Sequence, residues 1–432
     1  VAVLSKRIGL LDTENAFKIG PKIKAIEDQG KKVIKCNLGE PDFPVPGFIK
    51  DEVKRQIDLD NTHYCDPQGI LSLREAVARH FRETRGIETD PRRVVVFPGG
   101  KPPIGLSQEA YCDPGDEVIY PSPGYPIYES FTRYVGARPV PVHLKEESGF
   151  TLSGADIAAK ITPRTRMIFL NFPSNPTGGV ASREQLEDIA EVIQRKCRPS
   201  VRVYSDEVYE HILFDGLRHQ SIISFPGMEK ITVLVGGASK SFSWTGGRIG
   251  WALFPTIEEA EVFKNLNINY FSCVSAYNQE GARLGLESPL SREAIHDMVA
   301  AFQERRDLIV PGLSSIPGIR CQKPGGAFYV FPNVSGVCQH LGIFDAYKAL
   351  PADVRKLTTP STLLQMFLLF EYQVATMDRK SFGRIGTENM HYLRISIATD
   401  LESLKQAVAR IAEAAVDVKG FARFVEKGQN LA

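Results

Sequence analysis

Between residues 93 and 235 the chain alternates short, strongly apolar runs with stretches of helical character. The runs are Arg93–Phe97 (RVVVF), Glu117–Tyr120 (EVIY), Met167–Leu170 (MIFL), Val201–Tyr204 (VRVY) and Ile231–Val235 (ITVLV). Between two of them, Arg183–Lys196 reads as a helix opened by Ser182 as its N-cap. Runs of this kind, separated by helices, predict strands buried on both faces of a mainly parallel sheet. The fold class that follows is α/β. In such sheets ligands gather beyond the carboxyl ends of the strands.

Glycine-rich or charged segments follow four of the runs: Pro98–Gly100, Asn171–Gly179, Ser205–Tyr209 and Gly236–Lys240. Their common position predicts one site assembled from distant parts of the chain. Beyond about residue 311 the pattern changes. A strand-like Ala327–Phe331 (AFYVF), the alternating Tyr392–Ile397 (YLRISI) and an amphipathic helix near Leu401–Ala415 follow Pro/Gly-punctuated sequence. We expect a large domain over residues 48–310. Residues 1–47 would join 311–432 in a smaller α+β domain with an N-terminal arm.

The bulk properties narrow the partners. With 432 residues, 43% of them hydrophobic, there is material for two domains. A net charge of +1 from interspersed charges speaks against nucleic acid or an acidic membrane surface. No apolar run is long enough to span a bilayer, and the first twenty residues lack a signal-peptide pattern, so a cytoplasmic location is expected. The seven cysteines are scattered without a CxxC pair, as for reduced thiols. The eight histidines have no HxxxH or HxH spacing, and no metal site is expected.

Residues 237–250 read GASKSFSWTGGRIG. A lysine among small residues, here Lys240, can form a Schiff base with a carbonyl cofactor. A nearby arginine, here Arg248, can hold a phosphate by paired charge-assisted bonds. One segment would then grip both ends of pyridoxal phosphate. That cofactor also needs a carboxylate for its pyridine nitrogen, a donor to its phenolic oxygen, a phosphate cradle and a stacking ring. Asp206, in YSDEVY, suits the nitrogen; by itself it also reads as a helix N-cap. Asn175, in NFPSNPTG, and Tyr209 can donate to the phenolic oxygen; Asn-Pro and Thr-Gly are also turn formers. Gly99, Gly100 and Lys101 lie between a strand and a helix, where backbone N–H groups cradle phosphate, or simply make a tight turn. Ser239, beside Lys240, is a further cofactor-binding candidate. Tyr125 can stack on the ring or serve as a core tyrosine. Arg394 lies on an alternating strand and can clamp a substrate α-carboxylate bidentately, or face solvent.

Taken in order, these segments resemble the class I/II aminotransferases, the fold-type I pyridoxal-phosphate enzymes of the aspartate-aminotransferase kind. Further matches are Gly39–Phe43 (GEPDF), Asp113–Val118 (DPGDEV), Pro324–Phe328 (PGGAF) and the step from Lys240 to Arg248. The resemblance covers nearly the whole chain and implies a mainly parallel seven-stranded sheet. It also implies a homodimer with shared active sites, and ping-pong transfer from an L-amino acid to a 2-oxo acid. Lys240 would hold the cofactor as an internal aldimine and then shuttle the proton. Gly39 would lie by the substrate carboxylate, and Tyr64 would reach the phosphate held by the neighbouring subunit. Lys101 would stand where some aspartate-type relatives meet a distal carboxylate, which points to aspartate or glutamate; near the phosphate it has an equally good place.

Some residues depart from the family pattern. Trp244 replaces Met or Leu, Gly237 a phosphate-binding serine of some relatives, and Phe271 a threonine. Asp378–Lys380 replaces Pro-Gly before Phe382-Gly383, and residues 337–369 run longer than usual. These changes are expected in or near the pocket and its lid. The same residues around the cofactor would also serve a C–S β-lyase or a cyclising lyase of the aminocyclopropane-carboxylate type. A sensor built on an aminotransferase-like domain would need a DNA-binding module, for which residues 1–50 are too short.

Overall fold

The computed structural model describes residues 3–12 and 15–431. Twelve strands lie among them: β1 Ile34–Lys35, β2 Val94–Phe97, β3 Glu117–Ser122, β4 Arg138–His143, β5 Thr165–Asn171, β6 Arg202–Asp206, β7 Thr232–Gly237, β8 Gly250–Leu253, β9 Tyr329–Val330, β10 Val374–Ala375, β11 Met377–Asp378 and β12 Leu393–Ser396. Seven form the central sheet in the order β2-β8-β7-β6-β5-β3-β4. β8 runs antiparallel to β2 and β7; the pairs β7-β6, β6-β5, β5-β3 and β3-β4 are parallel. The chain thus has the α/β fold with a mostly parallel seven-stranded sheet.

Period-two alternation explains why β2 is apolar throughout. Val95 and Phe97 pack into one core with Tyr120, Phe169, Val235 and Phe263. Val94 and Val96 pack into another with Ile49, Leu73, Phe81 and Trp251. A strand covered on both faces needs apolar residues at every position. The helix Arg183–Lys196 has the limits expected from sequence, and Ser182 with Gln185 forms a capping box at its start.

Two of the seven strands had no counterpart in the apolar runs. β4 (RPVPVH) carries Pro139 and Pro141, two missing donors that argue against a strand. It lies at the sheet edge, and prolines two apart share one side of a strand, so the lost N–H groups need not face β3. β8 (GWAL) begins at a glycine for a steric reason. A Cβ on Gly250 would lie 2.5 Å from the carbonyl carbon of Gly99 in the adjoining β2 turn.

In the remaining sheets, β9, β12 and β11 are antiparallel neighbours, and β1 pairs in parallel with β10, Ile34 opposite Val374. Early chain thereby joins late chain. The helix Leu290–Ser314 runs through Pro311, so the division expected at residue 310 falls inside a helix. No helix among the described residues is long and apolar enough to cross a membrane.

Candidate active site

The carboxyl ends of β5, β6 and β7 open onto a cavity of about 480 Å³. Its wall brings together Gly39, Gly100, Lys101, Tyr125, Asn175, Asp206, Tyr209, Ser239, Lys240, Arg248 and Arg394. Of the other expected site residues, Gly99 stands behind the wall, where a Cβ would lie 2.2 Å from Arg248 Nη2. Tyr64 is 88% exposed and is not part of this wall.

Parallel pairing sets the first group. β5 and β6 end side by side, with Asn171 opposite Asp206. Asn171 Nδ2 donates to the Asp206 carbonyl, and Asn171 Oδ1 accepts from the Asn175 N–H at 2.9 Å. The Asp206 carboxylate is buried. Its Oδ2 accepts from the Tyr128 hydroxyl at 2.6 Å, and its Oδ1 has no hydrogen-bond partner. Burial pushes this carboxyl up to about 6, opposed by the Tyr128 hydroxyl and by the backbone N–H of Val208, which approaches the carboxylate without meeting hydrogen-bond geometry at Oδ1. An orphaned oxygen at that depth is costly without a ligand to meet it.

Lys240 lies in the short helix that follows β7, and its Nζ donates to the Gly39 carbonyl. The ammonium lies 5.9 Å from the Tyr209 ring centre and 5.7 Å from that of Phe328. Tyr209 and Tyr329 share a hydrogen bond of 2.8 Å between their hydroxyls, and burial holds the Tyr209 phenol well above its usual range.

A basic rim forms beside Gly100. Arg248 adopts a left-handed backbone (φ 53°), and its guanidinium meets only the carbonyls of Thr245 and Pro98 among its hydrogen-bond partners. Lys101 precedes the helix Pro102–Tyr111, which opens with two prolines. Prolines supply no N–H, so the backbone donors nearest this helix start are those of Gly100 and Lys101.

Arg394, on β12, is only 4% exposed yet makes no ion pair among the described residues. Its Nη1 donates to Asn175 Oδ1 at 3.1 Å, its Nη2 donates to the Asn37 carbonyl at 2.6 Å, and its Nε is unpartnered. The guanidinium is sandwiched 4.5 Å from the Tyr329 ring and 4.9 Å from that of Phe382. A buried cation held by neutral acceptors is poised for a carboxylate.

Sequence reasoning missed Tyr128, Tyr329 and the Asn37 carbonyl. Tyr128 stands in the same SPGYPIY string as Tyr125, one helical turn on; the other two reveal themselves only through tertiary contact. Several departures lie elsewhere than expected. The Trp244 ring packs against Gly247 and Gly281, the latter on the helix Ala276–Glu287, and does not line the cavity. Phe271 is exposed beside Tyr270. Residues 337–369 fold into short helices and the first ten residues of Pro360–Tyr372, whose Phe367 packs on Phe421 and Phe424; none lines the cavity. Leu363–Leu369 is apolar on nearly all sides, which buries it in the core instead of over the pocket. Arg379 is buried against the carbonyls of Phe382 and Gly383. Gly237 alone of these positions is in the wall.

Residues 31–411 match the model of the family described as aminotransferase class I and II. The chain is 36% identical over 416 residues to the probable aspartate/prephenate aminotransferase of Aquifex aeolicus, covering 96% of this chain and 99% of that one. It is 31% identical over 411 residues to the aromatic-amino-acid aminotransferase 2 of Thermococcus litoralis, covering 94% and 97%. The crystal structure of the aspartate aminotransferase from Rhizobium meliloti superimposes with a TM-score of 0.85 at 32% identity, over 95% of this chain and 98% of the other.

Proposed function

The chain belongs to the class I and II aminotransferases, a pyridoxal-phosphate-dependent family, and we propose that it moves the amino group of an L-amino acid to a 2-oxo acid with that cofactor in the cavity around Lys240. The observation that carries this is the unpartnered Oδ1 of buried Asp206 in the same cavity wall as Lys240. The other walls fit the cofactor too. Arg248 offers a guanidinium held only by carbonyls, and Gly99 has no side chain to displace it.

When bound, pyridoxal phosphate supplies an aldehyde for the amine and a ring that takes up the electron pair released at the substrate Cα. Lys240 would be the residue that holds the cofactor covalently, and its amine, when free, would serve as the acid–base group that carries the substrate Cα proton. Asp206 keeps the pyridine nitrogen protonated. Asn175, whose Oδ1 is engaged by Arg394, would be left with Nδ2 to donate to the phenolic oxygen, where the Tyr209 hydroxyl would join it. Tyr125 stacks on the ring. Arg248, Ser239 and the backbone N–H groups of Gly100 and Lys101 would hold the phosphate, with Gly99 behind them. Tyr64 of the partner subunit completes that cradle in a homodimer; its exposure here, with that of Ile268, Tyr270 and Phe271, supports an interface.

Arg394, Asn175 and the Gly39 backbone receive the substrate α-carboxylate. Arg394→Ala is expected to raise KM for every amino-acid donor by about 10–100-fold. Arg394→Lys should restore little, because an ammonium lacks the planar fork. Equal KM values in wild type and both variants would remove Arg394 from the site.

For the donor we propose aspartate or glutamate, with Lys101 meeting the distal carboxylate. Lys101→Ala should then raise KM about 10–100-fold for acidic substrates and leave neutral ones unchanged. A second reading, an aromatic donor, draws on the apolar wall residues Leu38, Ile104 and Val208 and on the aromatic-type relative. The test is to supply the loaded enzyme with aspartate and 2-oxoglutarate. Oxaloacetate and glutamate in equal amounts support transamination. Pyruvate and ammonia from cystathionine, with no oxo acid added, would favour the lyase instead.

A further inference from the structure

We propose that His80, Glu210 and His211 form a binding site for one divalent transition-metal ion of the zinc class. The three lie behind the cofactor cavity and line no part of it. Glu210 and His211 follow Tyr209 in the turn after β6, and His80 comes from the helix Leu71–Arg85, which packs on that turn. One donor atom from each lies within 4.8 Å of the other two. Adjacent residues plus one 130 positions away give no recognisable spacing in the sequence, so the pattern of histidines did not reveal the cluster.

The oxygens of Glu210 are divided between two tasks. Oε2 accepts from Arg85 Nη2 at 2.6 Å and meets His80 Nε2 at 3.0 Å. Oε1 faces His211 Nε2 at 3.9 Å. An ion bound by Oε1 and the two imidazoles leaves the Arg85 bond intact, and Arg85 then orients the ligating carboxylate from behind. Tetrahedral zinc places its donors about 3.3 Å apart, so Glu210 Oε1 and His211 Nε2, at 3.9 Å, would have to approach by about 0.6 Å.

Charge favours a cation. Two buried carboxylates, Glu207 and Glu210, face a single guanidinium, Arg85. His219 contacts Glu207 at 2.7 Å, and the two carboxylates outnumber the one guanidinium by one charge. The cluster is not sealed: the side chains of His80 and His211 are 12% and 27% exposed, which leaves a water available as a fourth ligand. Bound metal would tie the turn that carries Tyr209 to the helix Leu71–Arg85.

The test is calorimetric titration of the pyridoxal-phosphate-loaded protein with zinc chloride, alongside thermal melting. One zinc per chain and a raised Tm are expected. His80→Gln and His211→Gln should each weaken binding by at least about tenfold, while His296→Gln, at an exposed position, changes nothing. Cobalt in place of zinc should give visible d–d bands without the intense near-ultraviolet band of a sulfur ligand, a readout on the unmutated protein. Zinc binding undiminished in both variants, a sulfur band, or no binding at all would overturn the proposal.

Discussion

Replacing Lys240 by alanine is expected to lower turnover by at least about 10⁴-fold. On the proposed mechanism two functions would vanish together, the covalent carrier and the acid–base group, and the ammonium that lies 5.9 Å from the Tyr209 ring centre is that of Lys240. Lys101, the other lysine in the wall, precedes its own helix, Pro102–Tyr111. The loss should fall on kcat, because Arg394 and Asn175 remain to bind the substrate carboxylate. The fold should survive, since Lys240 is only half-buried and its Nζ contacts the Gly39 carbonyl, which can turn to solvent. Borohydride reduction of the loaded wild-type protein, followed by peptide mass analysis, checks the cause. The cofactor mass should appear on the peptide containing Lys240, and no peptide of the Lys240→Ala protein should carry it. A variant retaining more than about a hundredth of the activity would contradict the role.

Asp206→Asn is expected to produce two effects of opposite sign. Activity should fall by about 10²–10³-fold, the usual loss when one preorganised charge partner is removed. Stability of the cofactor-free protein should move the other way. Burial lifts the Asp206 carboxyl to about 6 from 3.8. An acid whose folded pKa is raised holds its proton more tightly folded than unfolded. It therefore costs nothing at low pH, costs progressively more between about pH 4 and 6, and imposes its whole penalty above that. Two units correspond to about 3 kcal/mol as an upper figure. Cofactor-free Asp206→Asn should thus melt higher than wild type at about pH 8, with the gap closing toward pH 4. With cofactor bound the order should reverse, because a protonated pyridine nitrogen relieves the carboxylate but not the amide. Differential scanning calorimetry across pH, with and without pyridoxal phosphate, reads both terms. A pH-independent gap would show that Asp206 carries no raised carboxyl.

The parts of the fold legible from sequence were those set by local pattern. The cores of β2, β3, β5, β6 and β7 are apolar because each is covered on both faces, and the residues just after them reach the cavity because parallel strands end on one side. The helix Arg183–Lys196 declared itself through Ser182 and Gln185, a pairing that is local in sequence. What stayed hidden depends on neighbours far along the chain. β4 is a strand despite Pro139 and Pro141 because no strand among the described residues pairs with its outer edge. β8 is short and is shaped by the close approach of Gly250 to Gly99. Tyr128 supports Asp206 across 78 positions, and Asn37 supports Arg394 across 357. Trp244 looked like a pocket residue by its nearness to Lys240 in sequence, yet its ring turns to the small faces of Gly247 and Gly281.

The most direct test is the absorption spectrum of the purified protein reconstituted with pyridoxal phosphate and titrated with single amino acids. A visible band dependent on Lys240 should appear. It should bleach as one amino acid converts the cofactor to its aminated form, and return on addition of a 2-oxo acid. Bleaching by aspartate or glutamate would also name the donor. A wild-type protein that shows no such band with excess cofactor would contradict the assignment of the cavity around Lys240 and Asp206.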